Sequence, residues 1–331
     1  MKRRRFISSA IGLGAASLGL AWPRAADGAA ELKPYSGADL AFGTTISIQV
    51  LHDDAHEATL AISDALAAAK NIDRLMTLYR TDSQVAILNR TGVLEQPDAH
   101  VLTVLMHALA LSRLTQGAFD VTVQPLWLAY SSAAAKGKLP DNAERRAALA
   151  LVDWQQLQVN ARRISLQLPG MAITLNGIAQ GYAVDVARAT LRARGIRHAM
   201  LDTGEFGSLG RKHLQQPWTV AVRDPREAQS MAEVFSMDGR CMATSGDYEM
   251  TFSADFAQHH IFDPASGNSP GELASVTVFA PTGLQADGLS TALMVLGAEK
   301  AVALVATLQD VDVLLIYKDG HRWRSAHLPL A

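Results

Sequence analysis

Asp287 and Thr291 stand four residues apart in the stretch Asp287-Gly288-Leu289-Ser290-Thr291. At the start of a helix this spacing puts a carboxylate and a hydroxyl on one face. With a backbone carbonyl nearby, they form a partial hard-oxygen site. Mg2+ suits such a set, because it keeps several waters and takes further ligands from substrate phosphates. The same residues also suit a structural role, with Asp287 capping the helix and Thr291 bonding back to the preceding turn.

A second stretch, Leu175-Asn176-Gly177-Ile178-Ala179-Gln180-Gly181-Tyr182, runs from a strand through a glycine turn into a helix. Amides at such a start can face a phosphate, and Gly177 lets the main chain approach a ligand closely. The pattern is neither G-x-G-x-x-G nor a P-loop, and a tight turn with close helix packing also accounts for it. Between the two stretches lie Thr244 to Tyr248 and His259 to Gly267. His260 is expected at a strand end beside the Asp263-Pro264 turn. There it could act as a base, contact a phosphate, or be structural. Asp247 and Asp263 read equally as turn residues. The chain has no G-x-S-x-G nucleophile motif and no H-E-x-x-H zinc spacing.

The elements that must position these groups follow from periodicity. Ile46, Ile48 and Val50 alternate, which predicts a strand over Thr45 to Val50. Apolar residues from Ile62 to Tyr79 recur at three and four, predicting a long helix from His56 to Arg80. Asp98 to Thr115 reads as a helix capped by Asp98 and stopped at Gly117, and Asp141 to Val152 as another. Leu157 to Leu168 and Met171 to Leu175 read as strands joined by the Pro169-Gly170 turn. A helix from Ile178 to Arg194 follows. Strands are predicted at Ala199 to Asp202, Trp218 to Arg223, Glu233 to Met237, Met242 to Ser245 and Val276 to Ala280. The end of the chain reads as a helix starting at Asp287, a helix from Glu299 to Leu308 and a strand from Val311 to Tyr317. Helices and strands do not alternate strictly, which predicts an α+β fold.

Hydrophobic residues make up 49% of the 331 residues and charged residues 19%, which excludes a disordered or fibrous chain. A net charge of -2 leaves no general basic field, so nucleic acid is not an expected partner. Cys241 is the single cysteine, so neither an internal disulfide nor a thiolate zinc cluster can form. At the start, Lys2 to Arg5 precede Phe6-Ile7, the apolar stretch Ala10 to Trp22, and the small-residue region Ala25 to Ala30. This is the layout of an export signal, and the apolar part is shorter than the ~20 residues of a membrane span. Arg3 to Ile7 resembles a twin-arginine signal; an ordinary export signal and an uncleaved anchor are the alternatives. The expectation is a signal over residues 1–30, one domain over 31–331, and a periplasmic location.

Taken in order, these pieces resemble the FAD:protein FMN transferase (ApbE) family. The matching stretches are Phe42 to Thr45, Met76 to Ser83, Gly117 to Val123, Leu175 to Asp185, Thr244 to Tyr248, His260 to Gly267 and Ser275 to Gly297. Each is weak alone, and their common order is specific. The resemblance implies a T-fold-like α+β architecture, FAD as substrate rather than resident cofactor, and Mg2+. It implies that Asp287 and Thr291 are side-chain metal ligands and that the Gly177 carbonyl completes the set. Phe42, Tyr79, Ala118, Phe119, Asp120, Thr174, Gln180 and Ile261 correspond to FAD contacts, and His260 to the motif histidine. His260 and Asp287 are the two candidates for the catalytic base.

The implied reaction moves FMN from FAD to a Thr or Ser hydroxyl of a target flavoprotein and releases AMP. With an export signal, the implied acceptor is an exported or membrane-bound flavoprotein; one candidate is the flavoprotein that supports nitrous oxide reductase. The chain departs from the family at Thr174, where many members carry an acid, and at Asn176, Gln180 and Ser290. The usual Asn-x-Gly-Gly stretch reads Asp202-Thr203-Gly204-Glu205. Hydrolysis of FAD to FMN and AMP is a second reading, since the same metal could activate water when no target hydroxyl fills the site. The departures at Thr174, Asn176 and Ser290 keep open a third, a non-catalytic FAD-binding assembly factor.

Overall fold

The structure is a computed structural model, and it describes residues 31–213, 216–227 and 229–331. The export-signal reading falls on residues 1–30, outside the described residues. The main sheet comprises β1 (Lys33–Ala41), β2 (Thr44–His52), β6 (His198–Asp202), β7 (Phe206–Leu209), β10 (Cys241–Gly246), β11 (Leu273–Ala280), β12 (Asp312–Tyr317) and β13 (Arg322–Arg324), in that spatial order. Neighbours in it pair antiparallel. β3 (Val93–Glu95), β5 (Arg163–Leu166) and β4 (Leu157–Asn160) form a three-stranded sheet. β8 (Trp218–Arg223) and β9 (Met231–Met237) form a hairpin. The helices are α1 (Ala55–Met76), α2 (Gln84–Thr91), α3 (Ala99–Leu114), α4 (Gln124–Ala134), α5 (Asn142–Leu149), α6 (Ala179–Ala193), α7 (Gly283–Leu296) and α8 (Ala298–Val305). Helices and antiparallel sheets mix without a β-α-β rhythm, as expected for an α+β fold.

Every residue of β11 is buried, because the main sheet is covered on both faces. Val276, Val278 and Ala280 join the larger core with residues of α1, α3, α6 and α7. Phe279, in the alternate register, joins Trp218, Val220, Phe235, Met242, Leu314 and Ile316 under the β8–β9 hairpin. Helix α1 buries Ala58, Ala61, Ile62, Ala65, Leu66, Ala69 and Ile72. Its small residues at a spacing of three and four let α6 pack closely along it.

Four expectations are corrected. Leu157 to Leu168 is not one strand but the β4–β5 hairpin turning at residues 161–162. Met171 to Leu175 is extended without joining a sheet; Asn89 brackets Ile173 instead, donating to its carbonyl at 2.8 Å and accepting from its amide at 2.7 Å. Helix α1 stops at Met76 because Thr77 turns extended, so Tyr79 lies outside it. Asp287 does not start α7: Thr282 is the N-cap, its side chain accepting from the Gln285 amide, and Asp287 lies a turn further in. Among the described residues no helix is long and apolar enough to cross a membrane.

Candidate active site

The glycine turn and α7 meet because helices α6 and α7 cross at two facing glycines. A Cβ on Gly181 would lie 2.0 Å from the Gly283 carbonyl oxygen, and one on Gly283 2.2 Å from the Gly181 carbonyl oxygen. Real side chains do not tolerate such distances, so the crossing requires glycine on both sides. Two carboxylates latch it in opposite directions. Asp185 on α6 accepts from the Gly283 and Leu284 amides of α7 at 2.8 and 2.9 Å, satisfying orphan donors of a helix start. Asp287 on α7 accepts from the Gly181 amide at 2.8 Å.

One turn beyond Asp287, Thr291 reaches Gly177. A Cβ on Gly177 would lie 2.7 Å from Thr291 Oγ1, and that hydroxyl lies 3.5 Å from the Gly177 carbonyl. Gly177, Asp287 and Thr291, separated by more than a hundred positions, are therefore brought together. Ser245 at the end of β10 joins them, its hydroxyl 2.7 Å from that of Ser290 and 3.1 Å from that of Thr291.

Two acids sit here out of water. Asp287 is 4% exposed, and burial pushes its carboxyl up to about 7, against the lowering effect of the Gly181 amide. Glu205, in the turn between β6 and β7, is raised well above the usual carboxylate range, by burial first and then by the negative charge of Asp287. Its Oε2 accepts from the Thr244 amide at 3.1 Å. A buried carboxylate is costly unless a positive charge offsets it. The donors are a carbonyl, carboxylates and hydroxyls, the hard-oxygen chemistry that suits Mg2+. Among the described residues no group of three or more His, Cys, Asp or Glu side chains could hold a metal. A cation here would be held by the Asp287 carboxylate, the Gly177 carbonyl, the Thr291 hydroxyl and substrate phosphates, and the residues present fit such an ion.

The residues matched to FAD contacts lie in separate segments of the fold. Phe42 is half-buried at the β1–β2 turn with φ 54°, and Tyr79 is 75% exposed just after α1. Ala118, Phe119 and Asp120 run alongside Thr174, whose amide donates to the Val121 carbonyl at 2.8 Å. Phe119 points into the larger core. Asp120 is buried; it accepts from the amide and hydroxyl of Thr122 at 2.7 Å and from the Trp154 amide at 3.0 Å. Burial nonetheless pushes its carboxyl up to about 6. Gln180 spends a side-chain donor on the Thr203 carbonyl at 3.1 Å, while its own carbonyl accepts from the Thr203 hydroxyl. Ile261 is buried in the larger core.

His260 sits in the loop between β10 and β11, not at a strand end; only an isolated bridge, Thr251 to His259, forms there. Its amide donates to the Met250 carbonyl at 3.0 Å, and its Nδ1 lies 3.2 Å from the same oxygen. A carbonyl can only accept, so Nδ1 is the donor in that hydrogen bond. Asp263 accepts from the Ala265 amide, as a turn residue should. Asp247 does more: wholly buried, it pairs with Arg226 through two 2.8 Å bonds, and Lys318 lies 3.5 Å away. Cys241 is buried, and burial pushes its thiol up to about 12, consistent with an inert core residue.

Sequence reasoning assigned no role to Asp185, Ser245 or Glu205. Asp185 follows Gly181 by one helical turn and so shares its face, a spacing that was readable. Glu205 gave no signal, because an acid in a glycine-containing turn normally faces water.

Comparison with known proteins identifies the family. The ApbE family model matches residues 42–315. An FAD:protein FMN transferase of Vibrio cholerae is 33% identical over 300 residues, covering 85% of this chain and 87% of that protein. One from Haemophilus influenzae is 31% identical, covering 87% and 88%. Among solved structures, the ApbE protein of Thermotoga maritima superposes with a TM-score of 0.80 at 28% identity, covering 89% of this chain and 97% of that one. The flavinyl transferase ApbE of Pseudomonas stutzeri, in its apo form, gives 0.77 at 30% identity, covering 89% and 96%. The glycine crossing and its converging oxygens lie within the matched span, and the chain belongs to the ApbE family.

Proposed function

We propose that this chain is an FAD:protein FMN transferase, and that it moves FMN from FAD to a Thr or Ser hydroxyl of a target flavoprotein with release of AMP. The observation that carries the reading is the meeting of Gly177, Asp287 and Thr291 at a crossing that only glycines permit. These three residues would hold Mg2+. When bound, the ion would draw charge from the FAD pyrophosphate and steady the AMP leaving group.

The chain's own residues do the rest. Asp287, its Oδ2 engaged by the Gly181 amide, holds its carboxylate in place. His260 is the base in this reading, because Asp287 would be engaged as a metal ligand. As the target oxygen bonds to the phosphorus on the FMN side, His260 Nε2 takes the hydroxyl proton, and the bond to the AMP oxygen breaks. Phe42, Tyr79, Ala118 to Asp120, Thr174, Gln180 and Ile261 are the positions that the family resemblance matches to FAD contacts, with Phe42 and Tyr79 the more accessible and Phe119 and Ile261 packed in the core. The basic start of the chain and its short apolar stretch support a periplasmic enzyme exported by a twin-arginine-like signal. Its acceptor would then be an exported or membrane-bound flavoprotein, with the one that serves nitrous oxide reductase a candidate.

The test is incubation of the mature protein with FAD, Mg2+ and exported flavoproteins, followed by mass spectrometry of each acceptor. Covalent FMN on a Thr or Ser is the expected result. AMP release without any labelled acceptor would instead identify an FAD hydrolase. FAD left intact in a folded protein would identify a binding factor.

A further inference from the structure

We propose that Glu205 supplies a second carboxylate to the divalent cation centre formed by Gly177, Asp287 and Thr291. The inference rests on the metal site proposed above and adds a residue to it. Glu205 is 9% exposed and is tied to the site from two directions. On one side its Oε2 accepts from the Thr244 amide at 3.1 Å, and the next residue, Ser245, touches Thr291 and Ser290 through its hydroxyl. On the other side, the turn that carries it is fixed to α6. Thr203 donates its hydroxyl to the Gln180 carbonyl at 3.0 Å, and Gln180 Nε2 donates to the Thr203 carbonyl at 3.1 Å. Gln180 directly precedes Gly181, whose amide holds Asp287.

The charges that act on Glu205 most strongly are those of Asp287, Asp202 and Glu249, all negative. Accepting one bond from the Thr244 amide needs no charge, since a glutamine oxygen would serve. With burial and those charges all disfavouring its ionised form, Glu205 carries its charge in this buried position only at a cost that a cation would offset. Glu205 therefore makes physical sense as part of a cation site.

Glu205→Gln keeps the shape and the bond from Thr244 while removing the charge. In the full chain, Mn2+ binding followed by electron paramagnetic resonance, with Mg2+ as competitor, should weaken at least about ten-fold. The unfolding temperature without metal, at pH 8, should hold or rise, because a buried like charge is gone. The increase that Mn2+ confers should shrink. Asp287→Ala, measured alongside, should abolish binding. If Asp287→Ala abolishes Mn2+ binding while Glu205→Gln binds within two-fold of wild type, the role of Glu205 is overturned and the metal site stands. A metal-free protein destabilised by Glu205→Gln with an unchanged Mn2+ effect would also overturn it, showing a purely structural residue. Binding unaffected by either variant would overturn the metal site itself.

Discussion

The α6–α7 crossing and the loop between β10 and β11 hold their reactive groups by different physics. At the crossing, backbone meets backbone: Gly181 and Gly283 leave no room for a Cβ, and Asp185 and Asp287 each bind amides of the opposite helix. In the loop, charge does the holding. Asp247 anchors Arg226 and Lys318; Lys318 donates to the Phe256 carbonyl at 2.8 Å, and Arg226 lies over the Phe256 ring at 4.5 Å. Packed backbone fixes a geometry against small displacement. A charge network with exposed members gives more readily. The difference would suit the two proposed tasks, a cation site with fixed distances and a base that meets an incoming protein hydroxyl.

The comparison breaks most visibly at Gly181. Gly181→Ala should force the helices apart, cost about 1–3 kcal/mol, and lower transfer by at least about 100-fold through misplacement of the donors. Urea unfolding and a transfer assay check both; near-wild-type turnover would show that the crossing does not set the site.

The loop should respond differently. Arg226→Met leaves Asp247 buried with only Lys318 at 3.5 Å and should cost ~3 kcal/mol, the low end for a broken buried pair. Turnover should fall while Mn2+ affinity stays within two-fold, since the crossing is untouched. Weakened Mn2+ binding would show that the two regions are not independent.

His259 sharpens the same contrast by pH. Burial, the largest cause, holds its ring down to about 4, and Lys318 and Arg226 disfavour its charge further, against the Pro270 carbonyl and Asp247. Between pH 6.5 and 4 the unfolded chain therefore binds a proton that the folded chain does not. Stability should be complete above about 6.5 and fall by roughly 2–3 kcal/mol towards pH 4. His259→Gln should flatten that slope in urea titrations across this range; an unchanged slope would place the acid sensitivity elsewhere. The smallest effect is expected from Asp185→Asn, which weakens the latch on α7. It should cost about 1 kcal/mol and weaken Mn2+ binding several-fold, measured by the same titrations.

Much of the architecture was readable because the large elements are strongly periodic. α1, α3 and α6 declare themselves through apolar spacing, and α3 also through its cap Asp98. The misses have local causes. β1 contains Pro34 and Gly37, which dilute a strand pattern. α2 and α4 are short, although Pro125 at the start of α4 was a usable signal. The start of α7 was displaced to Asp287, although Thr282 and Gln285 three residues later carry the spacing of a capping box. That error bore on chemistry, because a capping Asp287 would have its carboxylate engaged at the helix end rather than latched to Gly181. The Asp287–Thr291 spacing put both oxygens on one helix face, but on its own it suited a helix cap as well as a cation site. That the pair meets Gly177 was legible only from the order of motifs, since no local rule joins positions so far apart. Glu205 was not legible, because its burial depends on packing between β10, α6 and α7.

The most direct test is transfer of FMN to an acceptor as a function of Mg2+, for the wild-type chain and for Asp287→Ala. The wild type should transfer only with the cation and saturate with it. The variant should stay folded by circular dichroism and lose more than about 100-fold in transfer at every Mg2+ concentration. Full Mg2+-dependent transfer by Asp287→Ala would contradict the assignment of the cation to the α6–α7 crossing.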